Sequence, residues 1–427
     1  MHYENVESLW AATAPPGPAL TAFGGDAVAD MVVIGGGFTG LSAALHLADN
    51  GADVMVLDAA YPGFGASGRN GGQVIPGLKW NPGEIESRYG GTLGPQVVHT
   101  VASGPDLVFS LIERFGISCA ALRTGWLQPA HTSQTLATVS ARAEQWARRG
   151  APVRAVDANE MAALLGSSFY RGGLFDGRGG TIQPLAYTRG LAQAALQLGA
   201  RIYRDSPVHS LQADGDHWLL TLPQGTVRAR RVILATNAYS DQIHDPLRRS
   251  LVPVPSYQVA TKPLSAEFRA RILPGQQGVS DTFNLLRYWR VDATGRLIMG
   301  ARGLFGQPSQ AEALRSHDAA LREIYPMLGS LDYDYRWTGM VAITEDHLPH
   351  LHDLAPGLYG AVGYNGRGVA MATMMGRLVA QRALGREDGE YVFPVTTLKP
   401  ILFHRFSEWG VRATVSYLRI RDQQRAI

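Results

Sequence analysis

A chain of 427 residues, 45% hydrophobic and 18% charged, outgrows a single hydrophobic core, so two domains are expected. Its formal net charge of +3 is small and its basic residues are scattered, which leaves no basic stripe for nucleic acid. The one cysteine, Cys119, excludes an internal disulfide and a cysteine-rich metal site, fits a reducing compartment such as the cytoplasm, and reads as a small buried hydrophobe.

From Met1 to Ala29 the chain is polar and then rich in Pro and Gly, with no basic stretch leading into an apolar core. No signal peptide is expected, and Trp10 to Pro18 reads as an arm lying on the surface. No window approaches about eighteen uninterrupted apolar residues, so no membrane-spanning helix is expected.

The organising stretch runs from Asp30 to Asp58. Met31 to Ile34 reads as a buried strand, Leu41, Ala44, Leu45 and Ala48 recur at helical spacing, and Val54 to Leu57 reads as a second strand. Between first strand and helix, Gly35, Gly37 and Gly40 stand at G-x-G-x-x-G spacing. The first permits a tight turn, the second a close approach of backbone to pyrophosphate, and the third close packing of helix on sheet. The helix N-terminus then faces the phosphates. These glycines, with Phe38 and Thr39 among them, are assigned to a dinucleotide. Asp58, with Ala59 after it, ends the second strand where a carboxylate accepts from ribose hydroxyls. An acid there argues against a 2′-phosphate and so for FAD or NAD over NADP.

Tyr61 to Gln73 carries five glycines around one Arg and one Asn. A loop leaving the end of the second strand emerges beside the nucleotide crevice, so Ser67, Gly68, Arg69, Asn70, Gly71 and Gly72 are expected to contact the cofactor. Residues from about Trp80 to Gly150 read mainly helical, with Leu107, Leu111 and Phe115 on one face, and hold no catalytic constellation. A helix from about Leu185 to Leu198 is capped by Gly199, with strands at Arg201 to Arg204 and Val208 to Gln212. A hairpin, His217 to Leu222 and Thr226 to Arg228, precedes a separate buried strand, Val232 to Ala235, whose turn Thr236-Asn237 approaches the nucleotide again.

Between about Leu251 and Thr344, strand formers and aromatics predict an antiparallel sheet, at Val254 to Thr261, Asn284 to Arg290, Arg296 to Met299 and Tyr333 to Trp337. Tyr257, Tyr288, Trp289 and Trp337 are candidates for the wall of a substrate pocket. His347, His350 and His352 lack an accompanying acid or cysteine set and read as solvated histidines of a turn, not as a metal site. Leu358 to Ala370 repeats strand, glycine turn and helix, and brings a second helix N-terminus to the crevice, where it stabilises negative charge.

These four segments together resemble the D-amino-acid-oxidase superfamily of FAD enzymes over nearly the whole chain. The wording Gly65-Ala66-Ser67-Gly68-Arg69-Asn70-Gly71-Gly72-Gln73, with Trp337-Thr338-Gly339, Thr344-Glu345-Asp346 and Pro349, is most similar to its γ-glutamylputrescine oxidoreductase branch. The resemblance implies an α/β fold: a Rossmann-like FAD-binding domain at 1–80, 184–245 and 346–395, an inserted antiparallel-sheet (α+β) substrate domain at 81–183 and 246–345, and a helical tail at 396–427. It implies that Val208 meets adenine, that Ala235, Thr236 and Asn237 close the crevice, and that Gly363, Asn365, Gly366, Arg367, Gly368 and Val369 bring a helix to flavin N1. The cysteine that holds FAD covalently in sarcosine oxidases falls near Gly339 here, so FAD is expected to be non-covalent. The lysine that clamps the sarcosine carboxylate falls at Ala370, and losing that charge-assisted contact, worth roughly 1.5 to 3 kcal/mol, disfavours sarcosine.

The activity implied is oxidation of a C–N bond of a small-molecule amine or amino acid to an imine, with a γ-glutamyl-polyamine-like substrate suggested by the branch and O2 or another acceptor taking the electrons. No general base is assigned. Tyr257, Tyr288, Arg290 and Arg302 are the substrate-side candidates, on their place in the sheet and their chemistry. A flavin-binding sensor without amine turnover is the alternative reading. The aromatic and basic C-terminal stretch from Val392 is expected to pack on its own protein and not on a membrane.

Overall fold

The computed structural model describes residues 7–240, 242–302, 310–386, 390–402 and 404, with 302 and 310–313 described by their backbone alone. Two large sheets organise it. The first runs in the spatial order His350–Ala355, Leu358–Val362, Gly225–Leu234, Ala27–Ile34, Val54–Leu57, Arg201–Tyr203. Four of the five pairings along this order are parallel, and only His350–Ala355 on Leu358–Val362, at one edge, is antiparallel. A hairpin of Ser210–Asp214 and His217–Leu222 branches from the first half of Gly225–Leu234. The expected hairpin arm and buried return strand are thus one ten-residue strand. Its first half pairs with the hairpin while its second half, Val232 to Leu234, pairs with Leu358 to Gly360.

The central strands are buried on both faces, which is why they read as unbroken apolar runs. Helices Phe38–Asp49, Pro184–Gln197 and Gly368–Ala383 cover one face. Helix Gly368–Ala383 lies so close to helix Phe38–Asp49 that a Cβ on Gly376 would stand 2.5 Å from the Thr39 carbonyl oxygen. Ser42 Oγ donates to the Thr373 carbonyl at 2.7 Å across the same contact, and the Thr39 and Tyr364 hydroxyls share a hydrogen bond of 2.5 Å. The two glycine turns are therefore held in fixed relation by packing beneath them.

The second sheet runs Tyr333–Ile343, Val252–Pro263, Arg296–Arg302, Arg287–Val291, Gly278–Ser280, Trp126–Pro129, Gly173–Asp176, Val153–Val156. All its pairings are antiparallel except Gly278–Ser280 on Trp126–Pro129. Its core is a separate cluster around Trp289 and Tyr325. A buried ion pair, Arg287 to Asp281 at 2.7 Å with the Tyr170 hydroxyl donating to Asp281 at 3.0 Å, fixes the turn into Arg287–Val291.

The N-terminal arm runs over the surface from Ala11 to Pro18 as expected, but Trp10 at its start does not. Leu9–Thr13 is a short helix capped by Ser8, and Leu9 and Trp10 are fully buried against Leu185, Ala260 and Trp337. The Trp10 indole N–H donates to the Asn70 carbonyl at 2.7 Å, its ring meets Trp337 edge-on at 5.8 Å, and Gln183 Nε2 donates to its carbonyl at 2.9 Å. Of the three histidines only His347 is an exposed turn residue: His350 and His352 lie on a strand, His352 is buried, both ring Nδ1 atoms bond to Thr396, and His350 Nε2 has an acid after all, Asp346 at 3.1 Å. No group of His, Cys, Asp and Glu among the described residues can hold a metal ion. No helix among them is long and apolar enough to cross a membrane. Most of the expected tail, including 405–427, falls outside the described residues, and 396–402 form no α-helix.

Candidate active site

The strand Ala27–Ile34 must turn sharply into its helix, and Gly35 makes that turn with φ +106°, its Cα so near the Ala235 carbonyl oxygen that a Cβ would lie 3.0 Å away. Helix Phe38–Asp49 begins at once, so its first N–H groups point out of the sheet edge. One of them, on Phe38, donates to Ser67 Oγ at 2.9 Å, which ties the turn to the loop after the second strand. Asp58 accepts from the Gly36 N–H at 2.6 Å and from the Ala60 N–H at 2.9 Å. Desolvation outweighs these two bonds and pushes its carboxyl up to about 6.

These groups open on one cavity of about 540 Å³ that runs from the carboxyl ends of the first sheet's strands to the face of the second sheet. Three sets of residues line it. Asp58, Ala59, Val208 and His209 form one set; Gly35, Gly37, Phe38, Thr39, Ser67, Ala235, Thr236 and Asn237 form the second. The third joins Arg69, Asn70 and Gly71 to Asn365, Gly366, Gly368 and Val369 and to Ser256, Gln258, Gly339 and Tyr288 of the second sheet.

Other predicted residues do not line the cavity. Gly40, Gly68, Gly72 and Gly363 lie beneath its lining and give room to neighbouring chain. Arg367 turns away, donating to the Pro76 carbonyl at 3.2 Å and stacking over Trp126 at 4.8 Å. Tyr257 is half-buried elsewhere on its strand, because residues at odd and even positions point to opposite faces and Ser256 and Gln258 take the cavity side. Trp289 is wholly buried in the second core, and Trp337 is buried with its indole N–H on the Arg69 carbonyl at 2.9 Å. Arg290 lies behind the loop and not in the lining. Arg302 pairs with Ser256 through its backbone, and its side chain lies outside the described residues.

Within the lining, Asn70 and Asn365 shape backbone. Asn70 donates to the Ala66 and Ser67 carbonyls and accepts from the Gly72 N–H at 2.8 Å; Asn365 Oδ1 accepts from the Thr344 N–H at 3.0 Å. Asn237 Oδ1 accepts from the Gly363 N–H at 3.0 Å and so ties two turns together. Arg69 differs. Its Nε donates to the Phe64 carbonyl at 2.6 Å, its guanidinium stacks over the Phe64 ring at 4.4 Å, and one terminal nitrogen is buried without a partner. Gln258, which sequence reasoning passed over, likewise holds a buried Oε1 without a partner and donates through Nε2 to the Arg69 carbonyl. The available signal was its alternation with Ser256, two buried polar residues on the face that also carries Val252, Val254 and Ala260. Tyr239 and Gly339 were also missed as lining. Tyr239 is placed by its hydroxyl, which accepts from the Met340 N–H at 3.3 Å.

Residues 30–382 match the family described as DAO, FAD dependent oxidoreductase. The chain belongs to this family. Among curated proteins, γ-glutamylputrescine oxidoreductase of Escherichia coli (strain K12) is 34% identical over 389 residues, 91% of this chain and 90% of that protein. The probable oxidoreductase OrdL of Haemophilus influenzae is 33% identical over 408 residues, 93% of each. Among solved structures, glycine oxidase from Geobacillus kaustophilus superposes with a TM-score of 0.74 at 22% identity, over 88% of this chain and 99% of that one. L-Proline dehydrogenase from P. horikoshii does so at 0.73 and 22%, over 89% and 99%. These likenesses are of fold, and they match the parallel-centred first sheet and the largely antiparallel second one. This member of the DAO family is therefore an FAD-dependent oxidoreductase of the class that acts on CH–NH and CH–NH2 donors.

Proposed function

We propose that this chain binds FAD non-covalently in the cavity and oxidises a C–N bond of an amine or amino acid, of γ-glutamyl-polyamine-like type, to an imine that water hydrolyses. The observation that carries the reading is the single cavity in which the glycine turn at Gly35, the loop Ser67 to Gly71 and the helix start at Gly368 meet the second sheet at Ser256, Gln258 and Tyr288. The residues suit the cofactor. Asp58 stands where ribose hydroxyls would donate to it, Phe38 and Thr39 open the helix that would face the pyrophosphate, and the unpartnered buried nitrogen of Arg69 is a donor that an anionic or carbonyl group would satisfy. Val208 and the turn Ala235 to Asn237 would close on the adenosine side, while Asn365, Gly366, Gly368 and Val369 would bring a helix dipole to the ring system.

Non-covalent attachment is supported by the cysteine count: the only one, Cys119, is buried, is not in the cavity lining, and has its thiol pushed up to about 12 by burial. On this reading 1–80, 184–245 and 346–395 serve the cofactor, and 81–183 with 246–345 serve the substrate. FAD, when bound, supplies the hydride acceptor at N5. The protein's part is to place the carbon beside nitrogen, shed water and keep the amine neutral. Tyr288 and Ser256, hydrogen bonded at 2.9 Å, and the free Gln258 oxygen offer neutral polar contacts for that amine. The similarity at 34% to a γ-glutamylputrescine oxidoreductase supports the substrate class.

The test is an anaerobic screen of γ-glutamyl amines, polyamines and amino acids for bleaching of flavin absorbance, repeated in air for peroxide. Bleaching by a γ-glutamyl amine is the expected result. A flavin-loaded protein that no amine bleaches would leave the sensor reading in its place.

A further inference from the structure

Arg290 stands two residues after Tyr288 on the strand Arg287–Val291, hence on the same face of the sheet. It is 4% exposed. One terminal guanidinium nitrogen donates to the Gly72 carbonyl at 3.2 Å, the group lies 5.1 Å from the Trp10 ring centroid, and Nε is buried without a partner. Gly71 and Gln73, on either side of Gly72, line the cavity. The cation is therefore one strand of backbone away from it.

No charged side chain among the described residues is in contact with this cation, and the Asp292 carboxylate acts on it only through space, too weakly to cancel the cost of burial. Among the described residues no carboxylate forms an ion pair with it. Asp292, on its own strand's exit, is bound up with the Thr294 side chain and the N–H groups of Thr294 and Arg296. Across the core the Cys119 thiol is kept neutral by burial. Burial draws the guanidinium down to about 10, so it stays charged at neutral pH. A buried cation without a contacting counter-charge is costly, and a ligand group that gains negative charge nearby offsets part of that cost.

We propose that Arg290 is a positioning residue for flavin electrostatics: a fixed positive charge behind the loop Asn70–Gln73 that stabilises the negative charge the isoalloxazine gains on two-electron reduction. The inference rests on FAD occupying the cavity, and not on any amine being turned over. When two electrons and one proton enter the ring, one negative charge remains, and the buried guanidinium is the counter-charge already in place. The start of helix Gly368–Ala383 also lines the cavity, and its dipole is untouched by changes at Arg290.

The test is photochemical reduction of holoenzyme against redox dyes, with no amine present, so its outcome is separate from that of the substrate screen. Arg290→Gln is expected to weaken retention of reduced over oxidised FAD at least tenfold, a fall of about 30 mV in a two-electron potential. Arg290→Lys, which keeps the charge, is expected to stay within about threefold of wild type, as is Trp10→Phe, which disturbs the packing but not the cation. Wild-type holoenzyme is expected to take up one proton per two electrons between pH 6 and 8, so its potential falls by about 30 mV per pH unit and not about 59. An unchanged potential in loaded Arg290→Gln overturns the proposal, as does an equal fall in Arg290→Lys. Two-proton uptake by the wild type overturns it even if the Gln variant does not hold FAD.

Discussion

Asp58 gives the account its sharpest test. In the unliganded protein its carboxyl, desolvated at the end of strand Val54–Leu57, is pushed up to about 6 despite accepting from the Gly36 and Ala60 N–H groups. Ribose hydroxyls donating to it favour the ionised form, so bound cofactor lowers this value and binding expels a proton wherever the free protein carries one. The sign follows. FAD affinity is level above about pH 6 and falls as pH drops below it, by up to tenfold, about 1.4 kcal/mol, per unit until the liganded value is reached. At pH 8, Asp58→Asn forfeits charge-assisted bonds worth about 1.5–3 kcal/mol, so FAD binds roughly ten- to a hundredfold more weakly, and the slope below pH 6 disappears. Titration of apoprotein with FAD, followed by flavin fluorescence from pH 5 to 8, reads both effects. A wild-type affinity that is flat across pH 6, or a slope that survives in Asp58→Asn, would refute the assignment of Asp58 to the ribose.

Packing and loop geometry make further predictions. Trp10→Ala empties a buried indole site and removes the hydrogen bond to Asn70; a loss of about 3–5 kcal/mol is expected in chemical denaturation, together with faster FAD release, and an unchanged off-rate would show that Trp10 does not brace the loop. Gly376→Ala should destabilise by about 1–3 kcal/mol, since the clash with the Thr39 carbonyl outweighs the gain in helix propensity; a raised melting temperature would contradict the helix contact described. Arg287→Leu strands the Asp281 carboxylate in the core, and about 3–5 kcal/mol should be lost, again read by denaturation; near-neutrality would mean Asp281 reaches water.

What the sequence made legible was local. The turn at Gly35 and the helix behind it are dictated by neighbours within a few residues, so strand, turn and helix could be read together with Asp58. Four strands of the second sheet were read: Val254 to Thr261 proved to be Val252–Pro263, because end residues gain partners only from Tyr333–Ile343 and Arg296–Arg302, and Asn284 to Arg290 proved to be the shorter, displaced Arg287–Val291. Trp126–Pro129, Val153–Val156, Gly173–Asp176 and Gly278–Ser280, three or four residues each, are too short to show a period and were not read. Trp10 was illegible for the same reason carried further. Its burial is decided by Leu185, Trp337 and Arg290, all remote in sequence, and a polar, Pro-rich surrounding gave no sign of them. Among substrate candidates, chemical type was a poor guide: Arg290 and Tyr257 have suitable side chains, but strand alternation and the loop at Gly72 decide which residues face the cavity. Gln258 faces it, and an amide in a strand carries no motif.

The central claim is that the cavity holds one dissociable FAD per chain. Acid or heat denaturation of the purified protein, followed by chromatography of the supernatant, measures it directly. The account predicts about one equivalent of free FAD and a colourless precipitate, with FAD rebinding to apoprotein made under mild conditions; flavin that stays with the polypeptide, or a preparation that neither contains nor takes up FAD, would contradict it.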